Sequence, residues 1–183
     1  AGFLDRVEKF LKTDILWCRT NNVGYAPVVF PGFSWRNLKN LTVDKYDEIP
    51  RLKGDFLWRQ IAEAKKAGAK MIYVAMFDEL DEGTCIFKCA NSKNTPIFAT
   101  SSDPQGKFLG IDDDLPTDYY LFLAGQAGEW LKGNAEYGDT KPSYKPMGVE
   151  QVTDDSPVNV SYANNILTIK SSRTGEMSAH IYN

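Results

Sequence analysis

Histidine and cysteine are both scarce in this sequence of 183 residues. The single histidine, His180, lies near the end of the chain, which excludes histidine-based catalysis and metal sites built from several histidines. The three cysteines, Cys18, Cys85 and Cys89, are an odd number and cannot all pair within the chain. Cys85 and Cys89 are too few and wrongly spaced for a zinc knuckle, so we expect buried thiols, with a pair between two of the three left open. We expect no metal and no cofactor.

The chain also lacks an excess of positive charge and any long apolar run. Lys and Arg number 21 against 24 Asp and Glu, which leaves a formal net charge of −3. Without a basic stripe, nucleic acid is not an expected partner. No stretch reaches the ~18 apolar residues of a membrane span. The opening residues, AGFLDRVEKFLK, predict an amphipathic helix and not a signal peptide.

The most informative stretch is residues 70–88, KMIYVAMFDELDEGTCIFK. It begins with the unbroken apolar run Met71–Phe77, which predicts a strand buried on both faces of a parallel sheet. Four acidic residues follow this run directly: Asp78, Glu79, Asp81 and Glu82. Crowding four carboxylates costs free energy unless the end of the strand opens into a polar cleft. In parallel α/β folds such a cleft lies at the carboxyl ends of the strands.

Glu79 and Glu82 lie three positions apart in this acidic segment. On a straight strand they would face opposite sides. A turn after Leu80, helped by Gly83, would point both into one pocket. A glycosidase needs at least two carboxylates around its substrate. The like charges of neighbouring carboxylates raise the pKa of at least one of the pair, as a general acid requires. The alternative is that these acids are solvated loop residues or caps of the next helix.

Strand and helix signals alternate in the first half of the chain. They predict a helix over residues 2–20 or two helices broken near Thr13 and Asp14, a strand at 25–30, a long polar loop at 33–53, a helix from Asp55 to Ala67 capped by Asp55, and the strand Met71–Phe77. The order strand, loop, helix, strand predicts a βαβ unit, and therefore a parallel sheet in which Met71–Phe77 lies beside 27–30.

The second half carries weaker signals. They predict a strand at 96–100, a helix at 118–132 capped by Thr117 with Leu121, Ala124, Ala127 and Leu131 on its apolar face, and strands at 158–162, 166–170 and 178–182. Asn164-Asn165 is a hairpin signal. A change of composition divides the chain into 1–147 and 148–183. A complete barrel takes ~250 residues. The expected fold class is therefore α/β: the later part of a (β/α)₈ TIM-type barrel, followed by a small antiparallel β tail.

Three blocks of the sequence resemble a known family. PVVFPGFSW (Pro27–Trp35), IPRLKGDFLWRQI (Ile49–Ile61) and FDELDEGTCIFK (Phe77–Lys88) occur in this order and spacing in bacterial proteins similar to glycoside hydrolase families 71 and 99. The resemblance covers roughly residues 5–133. It implies a (β/α)₈ barrel that acts on carbohydrate.

The resemblance also implies roles for individual residues. Family 99 endo-α-mannosidases carry a block E-W-x-E-G-T whose two glutamates fall on Glu79 and Glu82 here. The first is taken to deprotonate the sugar 2-hydroxyl, and the second to act as general acid/base. Arg51 matches the arginine of a family turn, which implies that it contacts sugar or orients a carboxylate. Leu80 stands where the family has tryptophan and Asp81 where it has a neutral or basic residue, so mannose specificity does not carry over.

Five further side chains are candidate substrate-binding residues. Trp35 is expected to be a sugar-stacking platform, with a core aromatic as the alternative. Arg36 and Asn37 are candidates for bonds to sugar hydroxyls, with loop capping as the alternative. Asp78 and Asp81 lie next to the candidate catalytic pair in the sequence. The alternative for Asp78 is a solvated residue or a partner of Arg51.

The segment SPVNVSYANNILTIK resembles the beginning of a type IX secretion sorting domain, which implies export. The expected function is thus that of a glycoside hydrolase acting on a polysaccharide or glycan. The expected location is outside the cell or at the cell surface, with the periplasm as an alternative. The alternative is a non-catalytic carbohydrate-binding protein with the same fold. The expected partners are a carbohydrate, and the missing half of the barrel or a second copy, because we expect the chain to be a fragment.

Overall fold

The computed structural model describes residues 2–39, 49–96, 107–146, 158–163 and 166–171. The chain forms two compact units, Ala1–Met147 and Gly148–Asn183. The first unit contains, in order, α1 (Gly2–Arg6), a π-helical segment (Val7–Leu11), α2 (Lys12–Thr20), β1 (Val28–Val29), α3 (Trp35–Leu38), a 3₁₀ turn (Leu52–Gly54), α4 (Asp55–Lys66), β2 (Tyr73–Val74), a second 3₁₀ turn (Ser92–Asn94) and α5 (Tyr119–Lys132). No helix among these residues is both long and apolar enough to cross a membrane.

The N-terminal residues form a helical segment through Thr20, as their apolar spacing predicts. The irregularity is the π-helical segment Val7–Leu11, and not a break near Thr13 and Asp14. Val7 and Ile15 are buried, and Ile15 packs against Ala64 and Ala69 at the end of α4. Through Ile15, α2 therefore packs against the C-terminal end of α4 and the residues that follow it.

Strands β1 and β2 pair in parallel, which confirms the predicted βαβ connection through α4. Val28 pairs with Tyr73 and Val29 with Val74. The Tyr73 amide donates to the Pro27 carbonyl at 2.9 Å, and the Ala75 amide donates to the Val29 carbonyl at 2.8 Å. Both strands are much shorter than the apolar runs that predicted them.

The prediction that Met71–Phe77 is buried on both faces is wrong. Val29 is 2% exposed, but Val28 and its partner Tyr73 are 61% and 53% exposed, and Met71 and Phe77 are 49% and 58% exposed. Helix α4 packs on one face of the strand pair. Among the described residues nothing covers the other face to the same extent, so the apolar run marks a strand with one buried face only.

Helix α4 starts differently from the prediction. Asp55 is its first residue and Gly54 takes the capping position with φ +88°, so Asp55 does not cap the helix and instead pairs with Lys141 at 2.6 Å. A Cβ at Gly54 would lie 2.6 Å from the Leu123 side chain and 2.8 Å from the Tyr119 ring. Glycine is required here by both the left-handed conformation and the close approach of α5. Beyond the other end of the helix, Gly68 also adopts a left-handed conformation, with φ +95°.

Helices α4 and α5 supply the centre of the core. The buried set consists of Leu57, Trp58, Ile61, Ala62, Tyr119, Tyr120, Phe122, Leu123, Ala127 and Trp130 from these helices, with Val29, Ile86 and Ile111. The buried Trp58 and Trp130 rings stack with their centroids 5.7 Å apart. Helix α5 begins at Tyr119, and Asp118 is its cap residue in place of Thr117.

The buried face of α5 also differs from the predicted one. Of the four residues predicted on it, only Ala127 is buried; Leu121, Ala124 and Leu131 are half-buried. The helix is apolar on most of its surface, so spacing alone does not select the face that packs on α4.

The predicted polar loop 33–53 contains regular structure in its described residues, 33–39 and 49–53. Ser34 caps α3 by accepting a hydrogen bond from the Asn37 amide at 3.2 Å, and Phe33 bridges to Ile49 through two backbone bonds of 3.0 Å. The predicted strands 96–100 and 178–182 fall almost wholly or wholly outside the described residues.

The second unit contains a hairpin of β3 (Val158–Ala163) and β4 (Ile166–Ser171). The strands pair antiparallel from Val158 opposite Ser171 to Ala163 opposite Ile166. Residues 164–165, which join them, lie outside the described residues.

Candidate functional site

The acidic segment lies directly beyond β2 and turns back on itself. The Leu80 carbonyl accepts from the Gly83 amide at 3.1 Å, and the Glu79 carbonyl accepts from the Thr84 amide at 3.1 Å. Gly83 has φ +65°, and a Cβ there would lie 3.1 Å from the Ser34 Cβ. The turn after Leu80 that the sequence predicted is therefore present, and Gly83 is required both by its conformation and by its contact with Ser34.

A cavity of about 330 Å³ opens at the carboxyl ends of β1 and β2. Its lining consists of Phe30, Phe33, Ile49, Ala75, Met76, Glu82 and Thr84. Of the lining residues that the structure describes, Glu82 is the one carboxylate, and Glu79 is not among them. The described part of the cavity therefore combines a mostly apolar wall with one acidic group, at the edge of a parallel sheet where binding sites of α/β proteins are found.

Glu79 is half-buried beside three other carboxylates. Loss of solvent around the side chain raises its pKa, and the charges of Asp81, Glu82 and Asp78 raise it further. This is the electrostatic effect that crowding of like charges predicts. Asp78 and Asp81 are themselves exposed.

Two residues of the preceding loop hold the acidic turn through its backbone. The Ser34 amide donates to the Glu82 carbonyl at 2.7 Å. The Asn37 side-chain amide donates to the carbonyls of Leu80 at 3.3 Å and Leu109 at 3.1 Å, and its oxygen accepts from the Leu109 amide at 2.8 Å. Asn37 is 1% exposed and its described side-chain bonds go to the backbone, which favours the structural alternative over bonds to sugar hydroxyls. It connects three chain segments.

Arg51, for which the resemblance implies contact with sugar or orientation of a carboxylate, is buried under the acidic turn. It is 4% exposed and donates to the carbonyls of Gly83 at 2.6 Å and Cys85 at 3.1 Å. Its guanidinium carbon lies 4.6 Å from the centre of the Tyr120 ring. Among its described contacts there is no bond to Asp78. Arg51 thus holds the backbone that follows the two glutamates.

Trp35 and Arg36 lie at the start of α3, next to the wall of the cavity. Trp35 is 39% exposed, contacts Phe33 edge to face at 5.2 Å, and carries the Lys39 ammonium 5.3 Å from its ring centre. Phe33 lines the cavity and Trp35 does not. Arg36 is half-buried.

Sequence reasoning missed the aromatic wall and the role of Ser34. Phe30 and Phe33 flank the Pro31-Gly32 pair at the end of β1, and aromatic residues beside such a strand end are a signal for a wall of the cleft. Ser34 had a recognisable capping position before α3. Its contact with Glu82 depends on a segment about fifty residues away and has no local signal.

No family model matches the chain, and no curated protein matches it. Solved structures do match. The endo-α-mannosidase of glycoside hydrolase family 99 from Bacteroides thetaiotaomicron, in complex with Bis-Tris propane, is 19% identical with a TM-score of 0.53 over 68% of this chain and 35% of that one. A second structure of an endo-α-mannosidase of that family and organism is 20% identical with a TM-score of 0.53 over 69% of this chain and 34% of that one.

The chain thus spans about a third of the length of these solved structures. At this level of identity the likeness concerns the fold. It shows that this chain shares part of the TIM-barrel fold of those proteins, in agreement with the parallel pair β1–β2 and the helices packed beside it.

Proposed function

We propose that this chain is part of a barrel-type glycoside hydrolase that acts on a polysaccharide or glycan, with Glu79 and Glu82 as its catalytic carboxylates. The observation that carries the proposal is the position of Glu82 in the wall of a cavity at the carboxyl ends of two parallel strands. Active sites of barrel enzymes are built at this end of the strands. The likeness to solved glycoside hydrolases supports the same reading of the fold.

The two glutamates take different roles in this proposal. Glu82 faces the cavity and acts as general acid/base towards the glycosidic oxygen. Glu79 acts as the base that removes a proton from a sugar hydroxyl. Its raised pKa suits this role, because a general base is most effective when its pKa lies near the operating pH. Trp35, Arg36, Asp78 and Asp81 remain candidates for contacts with the sugar, and Arg51 and Asn37 position the acidic turn.

The test is hydrolysis by the Glu82→Gln variant, measured in the protein at its natural length against a panel of glycans. We expect the rate to fall by about 10²–10⁴-fold, because the proton donor is lost while the shape of the site is kept. Glycan binding, measured by calorimetry, should remain. Glu8→Gln is the matched control, since Glu8 is an exposed partner of Lys12 on the N-terminal helix. Full activity of Glu82→Gln would end the catalytic assignment.

A non-catalytic carbohydrate-binding protein is the second candidate. It is favoured by the absence of Glu79 from the cavity lining, because a glycosidase needs two carboxylates around one sugar. Binding without hydrolysis by the natural-length wild-type protein, together with weaker binding after Glu82→Gln, would support this candidate over the enzyme.

We also propose that the protein is exported, on the strength of the resemblance of residues 156–170 to a sorting domain. Fractionation of cells that produce the natural-length protein tests this. Recovery in the medium or on the cell surface is expected, and recovery in the cytoplasm alone would contradict it.

A further inference from the structure

Among the residues that the structure describes, no carboxylate pairs with the buried cation Arg51. It is 4% exposed, and the ion pairs of the described residues do not include it. Its hydrogen bonds go to the Gly83 and Cys85 carbonyls, and its Nε has no hydrogen-bond partner in the described structure. Because arginine stays protonated in proteins, a buried guanidinium calls for an anion nearby.

The Cys85 sulfur is placed to be that anion. Its Sγ lies 3.7 Å from the Arg51 Nη2 and 3.8 Å from the Cys89 Sγ. Cys85 is 2% exposed, whereas Cys89 is half-buried. The hydrogen bond from the Cys89 thiol lowers the pKa of Cys85 to about 6, with Arg51 acting in the same direction and burial against it. The same contact with Cys85 raises the pKa of Cys89.

We propose that Cys85 and Cys89 are a reactive dithiol, paired with Arg51, that a small-molecule disulfide converts to an intrachain disulfide. The two sulfurs already touch, and a disulfide needs them at ~2.05 Å, a short approach. Reactive cysteines lie in electropositive, partly accessible surroundings, which Arg51 and the half-buried Cys89 provide. This inference does not rest on the proposed function.

The exchange proceeds in two balanced steps. The accessible Cys89 sulfur attacks one sulfur of the reagent RSSR, its proton moves to the Cys85 thiolate, the S–S bond of the reagent breaks and RS⁻ leaves. Cys85 then passes this proton to RS⁻, attacks the Cys89 sulfur, and expels the second RS⁻. The protein loses two electrons and the reagent gains them. The products are the Cys85–Cys89 disulfide, one RSH and one RS⁻.

Oxidation would also change the support of the acidic turn. The disulfide removes the negative charge beside Arg51 and leaves the guanidinium buried without an anion. Arg51 donates to the Gly83 carbonyl, directly after Glu82. The dithiol thus connects a redox change to the backbone that carries the two glutamates.

The first test maps the disulfide by mass spectrometry after incubation of the folded chain with oxidised glutathione. Trypsin cleaves after Lys88, which lies between the two cysteines, so a Cys85–Cys89 disulfide joins the peptides 71–88 and 89–93. We expect this linked pair, which dithiothreitol then separates. Cys18, a half-buried thiol on α2, is the internal control. Modification of Cys18 with Cys85 and Cys89 both left as free thiols would overturn the proposal.

The second test measures how the rate of this oxidation depends on pH. In the wild type the rate should rise through about pH 6, where Cys85 becomes a thiolate that can accept the Cys89 proton. In Cys85→Ser, the reaction of Cys89 should shift to about pH 8.5, the range of an ordinary thiol. An unchanged pH profile in Cys85→Ser, with the fold verified by circular dichroism, would contradict the role of Cys85. If that variant does not fold, the wild-type profile is the test: a rate that does not rise through about pH 6 would contradict the role of Cys85.

Discussion

At the scale of single residues, polar side chains that the sequence assigns to the substrate instead bind the protein backbone. Asn37 bonds the carbonyls of Leu80 and Leu109, and Arg51 bonds those of Gly83 and Cys85. Both side chains are almost fully buried. Amide and guanidinium donors therefore hold the acidic turn through its backbone carbonyls.

Replacement of Asn37 by alanine should destabilise the fold. The Leu109 amide and the Leu80 carbonyl would lose their buried partner, and an unsatisfied buried group costs about 1–3 kcal/mol. Urea denaturation would measure the loss. Asn94→Ala is the matched control, because Asn94 is exposed in the second 3₁₀ turn, and exposed substitutions change stability by within about 0.5 kcal/mol. Equal stabilities of the two variants would contradict the role of Asn37.

The thiolate of Cys85 should make stability depend on pH. Its pKa in the folded chain is lowered to about 6, below the value of about 8.5 for an unfolded cysteine. The unfolded chain therefore binds the proton more readily, so this group contributes stability above about pH 8.5 that is lost as pH falls through about 6. Denaturation at several pH values should show this loss in wild type and not in Cys85→Ser. A parallel dependence in both would contradict it.

At the scale of the elements, the close approach of α4 and α5 fixes where α4 begins. Gly54 adopts a left-handed conformation and leaves no room for a side chain between itself and α5. A capping aspartate at Asp55 would be the usual local solution. Because α4 and α5 pack so closely, a glycine occupies the capping position instead, and Asp55 becomes the first residue of the helix.

Gly54→Ala should therefore destabilise the first unit by more than ~1 kcal/mol, because the left-handed conformation costs about 1–2 kcal/mol for a residue with a Cβ and Leu123 and Tyr119 must also move. Gly128→Ala is the matched control in α5: nothing lies within 4 Å of a Cβ there, and alanine in a helix is favoured over glycine by ~1 kcal/mol. Thermal unfolding of both variants should show opposite shifts. A stabilised Gly54→Ala would disprove the predicted steric conflict.

At the scale of the first unit, one face of the strand pair is apolar and open among the described residues. Val28 and Tyr73 face away from α4 as register partners and are 61% and 53% exposed. In a complete barrel, the strand face opposite the helices forms the packed interior. The proposal that this chain is part of a barrel accounts for an open apolar face on these two strands.

The purified chain should therefore associate at high concentration or melt without a sharp transition. Exposed apolar faces and short unprotected strands favour contact with another chain. Light scattering over a range of concentrations would detect association, and Val28→Thr should reduce it while keeping a β-branched residue in the strand. Leu16→Gln is the control, since Leu16 is 63% exposed on α2. A monodisperse monomer with a sharp melting transition would count against this expectation.

Features that depend on neighbouring residues could be predicted from the amino-acid sequence. The helical segment ending at Thr20, helix α4, the parallel βαβ connection and the turn after Leu80 all follow from apolar spacing and from glycines at positions of positive φ. Local periodicity and backbone conformation carry this information within one or two turns of chain.

Which side chains are buried and which face the cavity could not be predicted in this way, because it depends on long-range packing. Arg51 lies under the acidic turn, Asn37 joins three segments, and Glu82 faces the cavity in place of Glu79. Burial and hydrogen-bond partners depend on segments tens of residues apart, and no local pattern records which segment will cover which. From sequence alone, the same polar residue types are therefore equally consistent with binding a sugar at the surface and with binding the backbone in the interior. Only the packing of the folded chain distinguishes these two roles.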